Sequence, residues 1–281
     1  MLSLSAGETG VYEIKLTTVD ADLHEWQFGS LSWVSPQNKV RSPIAARPVL
    51  FAAPLEAFGI GTSGDLQLDV YFGYTGPYTT TVAGLVAPKI FHGNVTNGLR
   101  ITYPDPPPPL GSKLPDNIWR SPVNAIVTSE TDTYLRVALF DENTTGDDDL
   151  DLYVYYCPPL LPCESPFVSG NFDSNEQVDI LLHKAGNYIV DVHGFNTEGA
   201  DTDFDLYVWT VGTVDNLGNL TVTAPTEAIS GDQDTVTITW EGLETHRDGL
   251  ELKAHLGTIT HDNESPDADS PLEVTLIEVR H

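Results

Sequence analysis

Apolar residues recur at every second position along most of the chain, in short runs rich in Val, Thr, Tyr and Leu separated by Gly, Pro, Asn and Asp. Period-2 runs line one face of a β-strand, and helical periodicity is nearly absent. The pattern predicts strands over 11–18, 28–33, 39–41, 66–72, 78–83, 99–103, 134–141 and 150–156. It continues with 177–182, 186–193, 204–211, 220–224, 235–240, 252–256 and 272–280. Many short strands at this spacing indicate an all-β chain of tandem antiparallel β-sandwich or jelly-roll domains rather than a parallel sheet. The divisions expected are 1–50, 51–213 and 214–281, with 43–61 as an interdomain connection and a Pro-rich surface loop at 103–116.

Two stretches are nearly the same phrase written twice: Asp147-Asp148-Asp149-Leu150-Asp151-Leu152-Tyr153-Val154-Tyr155 and Asp201-Thr202-Asp203-Phe204-Asp205-Leu206-Tyr207-Val208-Trp209. Alternation puts Leu150, Leu152 and Val154 on one face, with Asp149, Asp151, Tyr153 and Tyr155 on the other. The second copy repeats this with Phe204, Leu206 and Val208 inward. Two copies are too few for a solenoid and fit equivalent strands of one sandwich.

Composition narrows the function classes. The 281 residues carry 13 Lys and Arg against 41 Asp and Glu, a net charge of −28, which excludes a nucleic-acid binder. Only 19% of residues are charged, so the acidity comes mainly from missing cations, a balance that a halophile's exported protein would also show. The 40% apolar content is enough for a sizeable core. The most apolar stretch, Pro43 to Gly61, contains Arg47, Glu56 and several prolines, so no membrane insertion is expected. The first 15 residues lack the basic start and apolar run of a secretory signal, so the chain reads as already processed.

Cys157 and Cys163 bracket a proline-rich loop, and a disulfide there stands against two separate thiols. Asn-x-Ser/Thr triplets at Asn94, Asn143, Asn219 and Asn263 agree with an extracellular location. Two acidic clusters, Asp141, Asp147, Asp149 and Asp151, and Asp201, Asp203 and Asp205, supply the oxygen ligands Ca²⁺ prefers; the alternative is a solvated face. Tyr153, Tyr155, Tyr207 and Trp209 form an outward aromatic strip, read as a ligand face for sugar rings or polypeptide, or else as packing under a loop or neighbouring domain. Trp26, Trp33, Trp119 and Trp240 are expected in a core or interface, and His193 at a strand end.

The phrase Phe28-Gly29-Ser30-Leu31-Ser32-Trp33 followed by Val40-Arg41-Ser42-Pro43-Ile44 resembles the final hairpin of the fibronectin-III-like domain in subtilisin-like serine proteases. Phe72-Gly73-Tyr74-Thr75-Gly76, Ala138-Leu139-Phe140-Asp141-Glu142, Asp149–Tyr155, Ala185–Val190 and Asp205–Trp209 resemble the prepeptidase C-terminal jelly roll of secreted members. The segment from Gly218 to Arg280 is similar to the small sandwich that ends those proteases. The resemblance implies a partial fibronectin-III-like sandwich over 1–50, a jelly-roll accessory domain over 51–213 and a terminal sandwich over 214–281. It covers only the part of such proteases that does no chemistry. The proline tract and the cysteine loop depart from it, and none of the family's Asp, His and Ser triad motifs occurs. The expectation is a nonenzymatic accessory region whose partners are a protease catalytic domain or extracellular protein or polysaccharide. The alternative is a self-associating structural or adhesive protein, because residues 1–50 are too few for a complete seven-stranded sandwich.

Overall fold

The computed structural model describes residues 5, 7–16, 21–104, 108–159, 161–181, 184–212, 217–247, 249–264 and 271–281. Thr17, Thr18 and Leu182, at the ends of two expected strands, and residues 105–107 of the proline tract lie outside them. The described residues are nearly all β, with one 3-10 turn at Asp141–Asn143 and no α-helix. In chain order, a hairpin of β1 (Gln27–Val34) and β2 (Lys39–Ala46) precedes β3 (Phe51–Ala52), β4 (Glu56–Ile60), β5 (Gly64–Phe72), β6 (Gly76–Pro77) and β7 (Thr79–Val86). Next come β8 (Lys89–Thr96), β9 (Ile118–Arg120), β10 (Ile126–Thr128), β11 (Asp132–Leu139) and β12 (Asp149–Cys157). They are followed by β13 (Phe167–Ser169), β14 (Glu176–Leu181), β15 (Gly186–Asn196) and β16 (Asp201–Gly212). The chain closes with β17 (Leu220–Thr223), β18 (Glu227–Ala228), β19 (Gln233–Trp240), β20 (His246–Arg247), β21 (Leu250–Glu251), β22 (Ala254–Asp262) and β23 (Glu273–Arg280).

Four sheets stack as layers. The outermost sheet has the order β10-β15-β12-β13, with β9 also on β15, and the next has the order β14-β11-β16-β8. Between them lies a core in which the two copies of the repeated phrase meet: Leu150, Leu152 and Val154 of β12 with Phe204, Leu206 and Val208 of β16. The third sheet, β4-β23-β22-β7, packs Ala254, Leu256 and Leu276 against Tyr207, Trp209 and Val211 on the other face of β16. The fourth, β17-β19-β5-β3, closes a last core around Val70, Val236, Ile238 and Trp240.

The boundaries at 51 and 213/214 do not follow these pairings. Strand β5 pairs with β19, β7 with β22, and β4 in parallel with β23, so residues 51–86 and 217–281 make one sandwich and the jelly roll of 89–212 is inserted into it. The reading of 43–61 as a connection fails for the same reason, because β3 and β4 are sheet members. No strand forms over 99–103, where Leu99 and Arg100 take positive φ values of 53° and 61° and turn the chain. Residues 11–16 are likewise without strand structure. Trp240 is in the core and Trp119 packs on Phe204, whereas Trp26 is exposed and stacks on the exposed Phe28.

The last core contains His261, which faces Phe51 and Tyr78. The Tyr78 hydroxyl donates to Nδ1 at 2.6 Å, Nε2–H donates to Thr275 Oγ1 at 3.0 Å, and Thr275 donates onward to the Pro54 carbonyl. Burial lowers the His261 pKa to about 4, and burial and His281 lower that of His255 to about 4. Both folded values lie below the ordinary 6.5, so this stability is complete above pH 6.5 and is lost as pH falls towards 4. The expected loss is about 3 kcal/mol for each histidine by pH 4. A His261→Asn variant should show a shallower fall in Tm between pH 7 and 4.5; an unchanged slope contradicts the assignment. Burial raises the Glu176 pKa and therefore acts in the opposite sense.

Candidate functional site

Alternation along β12 and β15 aims Tyr153, Tyr155, Ile189, Asp191 and His193 at the outer face of the outermost sheet. Tyr103 and residues 108–110 of the proline tract and residues 161–163 of the cysteine loop lie over this face. Asp191 is fully buried and holds Arg120, itself 10% exposed, through Nε and Nη2, each at 2.6 Å. The remaining guanidinium bonds tie down the proline tract, with Nη2 donating to the Pro108 carbonyl at 3.1 Å and Nη1 to Pro109 at 3.3 Å. Tyr103 donates to Asp191 Oδ2 at 2.5 Å, accepts from the Tyr155 hydroxyl at 3.0 Å, and stacks on Tyr153 with ring centroids 3.9 Å apart. Burial first, then the bond to Asp191, pushes the Tyr103 phenol well above its ordinary pKa. Burial works against the charge of Arg120, and Asp191 outweighs it, raising that pKa.

Beside this network is a cavity of about 450 Å³. One wall is Pro108, Pro109 and Leu110; the other is Leu161, Pro162 and Cys163; Tyr155 and Ile189 make the floor, and Arg120 contributes an edge. Proline fixes φ on both walls, and Cys157 and Cys163 are joined in a disulfide that staples the second. Closing a loop between cysteines six positions apart is expected to contribute about 2 kcal/mol. Replacing both cysteines by serine should lower the urea midpoint accordingly, and an unmoved midpoint refutes that estimate.

The candidate site residues divide as follows. Tyr155 is buried and Tyr153 half-buried beneath Tyr103, while Tyr207 and Trp209 are buried between the second and third sheets. The Trp209 indole N–H donates to the Ala254 carbonyl at 3.0 Å. These four rings therefore form no open strip: β12 and β16 lie in different sheets, and each outward face is covered.

The acidic residues do not converge either. Among the described residues, no three His, Cys, Asp or Glu side chains are placed to hold a metal ion. Asp141 accepts from the Ser174 amide in the turn beside β12, Asp147 is exposed at the same turn, and Asp149 has its carboxyl pKa raised by burial and then by Asp151. Asp151 faces His193, Asp203 accepts from the Asn94 amide, Asp205 pairs with His92, and Asp201 is exposed. Alternation keeps Asp149 and Asp151 on one face of β12 and Asp201, Asp203 and Asp205 on one face of β16, but His193, Asn94 and His92 each engage one of them, so the seven aspartates expected to hold Ca²⁺ give no convergent ligand set among the described residues.

The acidic residue that does become fully engaged is Asp148, which accepts from Thr202 Oγ1 at 2.6 Å and from the Glu198 amide at 2.9 Å. Asp148 and Thr202 are equivalent positions of the two repeats, so this bond joins the copies where they enter their strands. His193 is fully buried, with Nδ1–H donating to Asp151 at 3.1 Å and Nε2 accepting from the Asn117 amide at 3.1 Å. Both ring nitrogens are thus hydrogen-bonded to protein side chains. Asn219 spans Leu85 on both sides, accepting from its N–H and donating to its C=O, so the side chain of that sequon works as a backbone bridge.

The chain matches no family model and no curated protein. Its described residues include no helix long and apolar enough to cross a membrane.

Sequence reasoning passed over Tyr103, Arg120 and Asp191. Asp191 was the available signal: it interrupts the apolar run Tyr188-Ile189-Val190-Asp191-Val192 on the face shared with Ile189. An ionic residue there needs a partner, and only tertiary structure identifies Arg120.

Proposed function

We propose that this chain is a noncatalytic accessory and binding region of a secreted subtilisin-like serine endopeptidase, stabilising the protease or holding it on extracellular protein or polysaccharide. The observation that carries the binding role is the preformed cavity between two proline walls, whose neighbouring polar groups are committed to one another and offer no nucleophile or free base. The ordered family phrases and the missing triad motifs support the link to the protease. Two measurements test the reading. The purified chain should leave soluble casein intact and be retained on insoluble casein or an insoluble polysaccharide; turnover abolished by a serine-modifying reagent, or no retention on either, contradicts it. An in-frame Gly-Thr-Ser-Met-Ala phrase in the genomic sequence upstream of Met1 would tie it to a protease.

A second reading, a self-assembling structural or adhesive protein, is favoured by the β1–β2 hairpin. It is a two-stranded sheet with both outer edges unpaired among the described residues, and its Phe28 is 80% exposed. Isolated hairpins are marginally stable in water, and a strand from a second copy would extend this one. Light scattering separates the readings: a ladder of oligomers supports assembly, and a strict monomer at high concentration rules it out.

A further inference from the structure

We infer that the cavity between the proline tract and the cysteine loop is a binding site for an uncharged, apolar small molecule bearing a ring system. This goes beyond the accessory role proposed above, and the two stand or fall separately. Three observations select that chemistry.

Charge is the first. Asp191 and Arg120 neutralise each other through two hydrogen bonds, and the Tyr103 hydroxyl takes a further position on the carboxylate. A cation therefore finds no free carboxylate at this edge of the cavity, and an anion approaching a chain of net charge −28 meets, among the described lining residues, only the already paired Arg120. Size is the second. A volume of about 450 Å³ lies within the roughly 300–1,000 Å³ of small-molecule sites and exceeds what one amino-acid side chain fills.

Preorganisation is the third. The floor is the Tyr155 ring and Ile189, fixed in neighbouring register on β12 and β15. Both walls are held: Arg120 grips the Pro108 and Pro109 carbonyls, and the disulfide closes the other side. Rigid walls spare the ligand the entropy of ordering them. Leu161 nevertheless stands 68% exposed on the rim, and an apolar ligand seated below it would take its surface out of water.

The test uses the whole chain and Nile red, an uncharged ring-bearing dye whose emission shifts to the blue in apolar surroundings. Saturable binding of one dye per chain is expected. Leu161→Asp, a change at an exposed position, should weaken it at least tenfold. Phe28→Ser, which removes an exposed aromatic from the distant hairpin, should leave it unchanged. Equal binding by Leu161→Asp and the unaltered chain, binding lost in Phe28→Ser, or no saturable binding overturns the inference. So does displacement of the dye by an N-acetylated, C-amidated Phe-Phe dipeptide at lower concentration than by uncharged steroids, since the occupant is then a polypeptide. That last result spares the proposed accessory role, whereas failure to be retained on casein or polysaccharide leaves the dye site intact.

Discussion

Replacing Arg136 by methionine is expected to destabilise the protein by about 3–5 kcal/mol, the usual result of stripping one partner from a buried charge network. Arg136 sits on β11 between the second and third sheets, with its side chain only 6% exposed. It donates Nη1 to Glu278 on β23, Nε to Asp179 on β14 at 2.6 Å and Nη2 to Glu56 on β4 at 3.2 Å. Burial opposes the charge, and Asp179 and Glu278 override it, so the guanidinium pKa rises. Asp179 and Glu56 are each more than a third exposed and can turn to water, whereas Glu278, also 6% exposed, cannot and keeps only the exposed Arg280 on its other oxygen. Most of the loss therefore belongs to Glu278, and the double variant Arg136→Met, Glu278→Leu should recover a large part of it. Urea unfolding of the single and double variants decides the point: a single variant within 1 kcal/mol of the unaltered chain, or a double variant no better than the single, contradicts this account.

Asp191→Ala is expected to have a comparable effect, about 3–5 kcal/mol, by the same physics on the other side of the jelly roll. It leaves the Arg120 guanidinium buried without its carboxylate and removes the acceptor of Tyr103. The consequence reaches further than stability, because Arg120 also fixes the proline tract. Limited proteolysis should open that tract in Asp191→Ala before any other segment, and Nile red binding should fall with it. A variant that unfolds less cooperatively but keeps the tract protected would show that Pro108 and Pro109 are held by something other than Arg120.

The two effects show where sequence was legible. The repeated phrase assigned Leu150, Leu152, Val154, Phe204, Leu206 and Val208 to one core, and all six are buried there, because alternation is a local property of a strand. Alternation says nothing about what covers the opposite face, so Tyr207 and Trp209 were open to either reading until the third sheet was in place. Sheet membership was the least legible feature. Strand β5 reads much like any amphipathic strand, and nothing within it names β19, more than 150 residues later, as its partner. Aspartates at alternate positions share a face and likewise suggest a common ligand, yet Asn94 and His92 of β8 take Asp203 and Asp205 separately, which their own strand does not reveal. The disulfide was within reach of sequence because its two residues are close along the chain, whereas the Arg120–Asp191 pair spans 71 positions.

The insertion of residues 89–212 between β7 and β17 bears on the order of synthesis. When β3 to β7 leave the ribosome, the strands that complete their sandwich have not been made, and the edges of β5 wait for β17–β23. The jelly roll is complete in between, since its strands pair only with one another. Once folded it holds the end of β8 nearest β7 and the end of β16 from which the chain departs on neighbouring strands, with Lys89 opposite Val208. A closure that would otherwise carry the entropy of a loop of well over 100 residues becomes a short connection. During translation the inserted domain thus acts as an internal template, delivering the two halves of its host to each other.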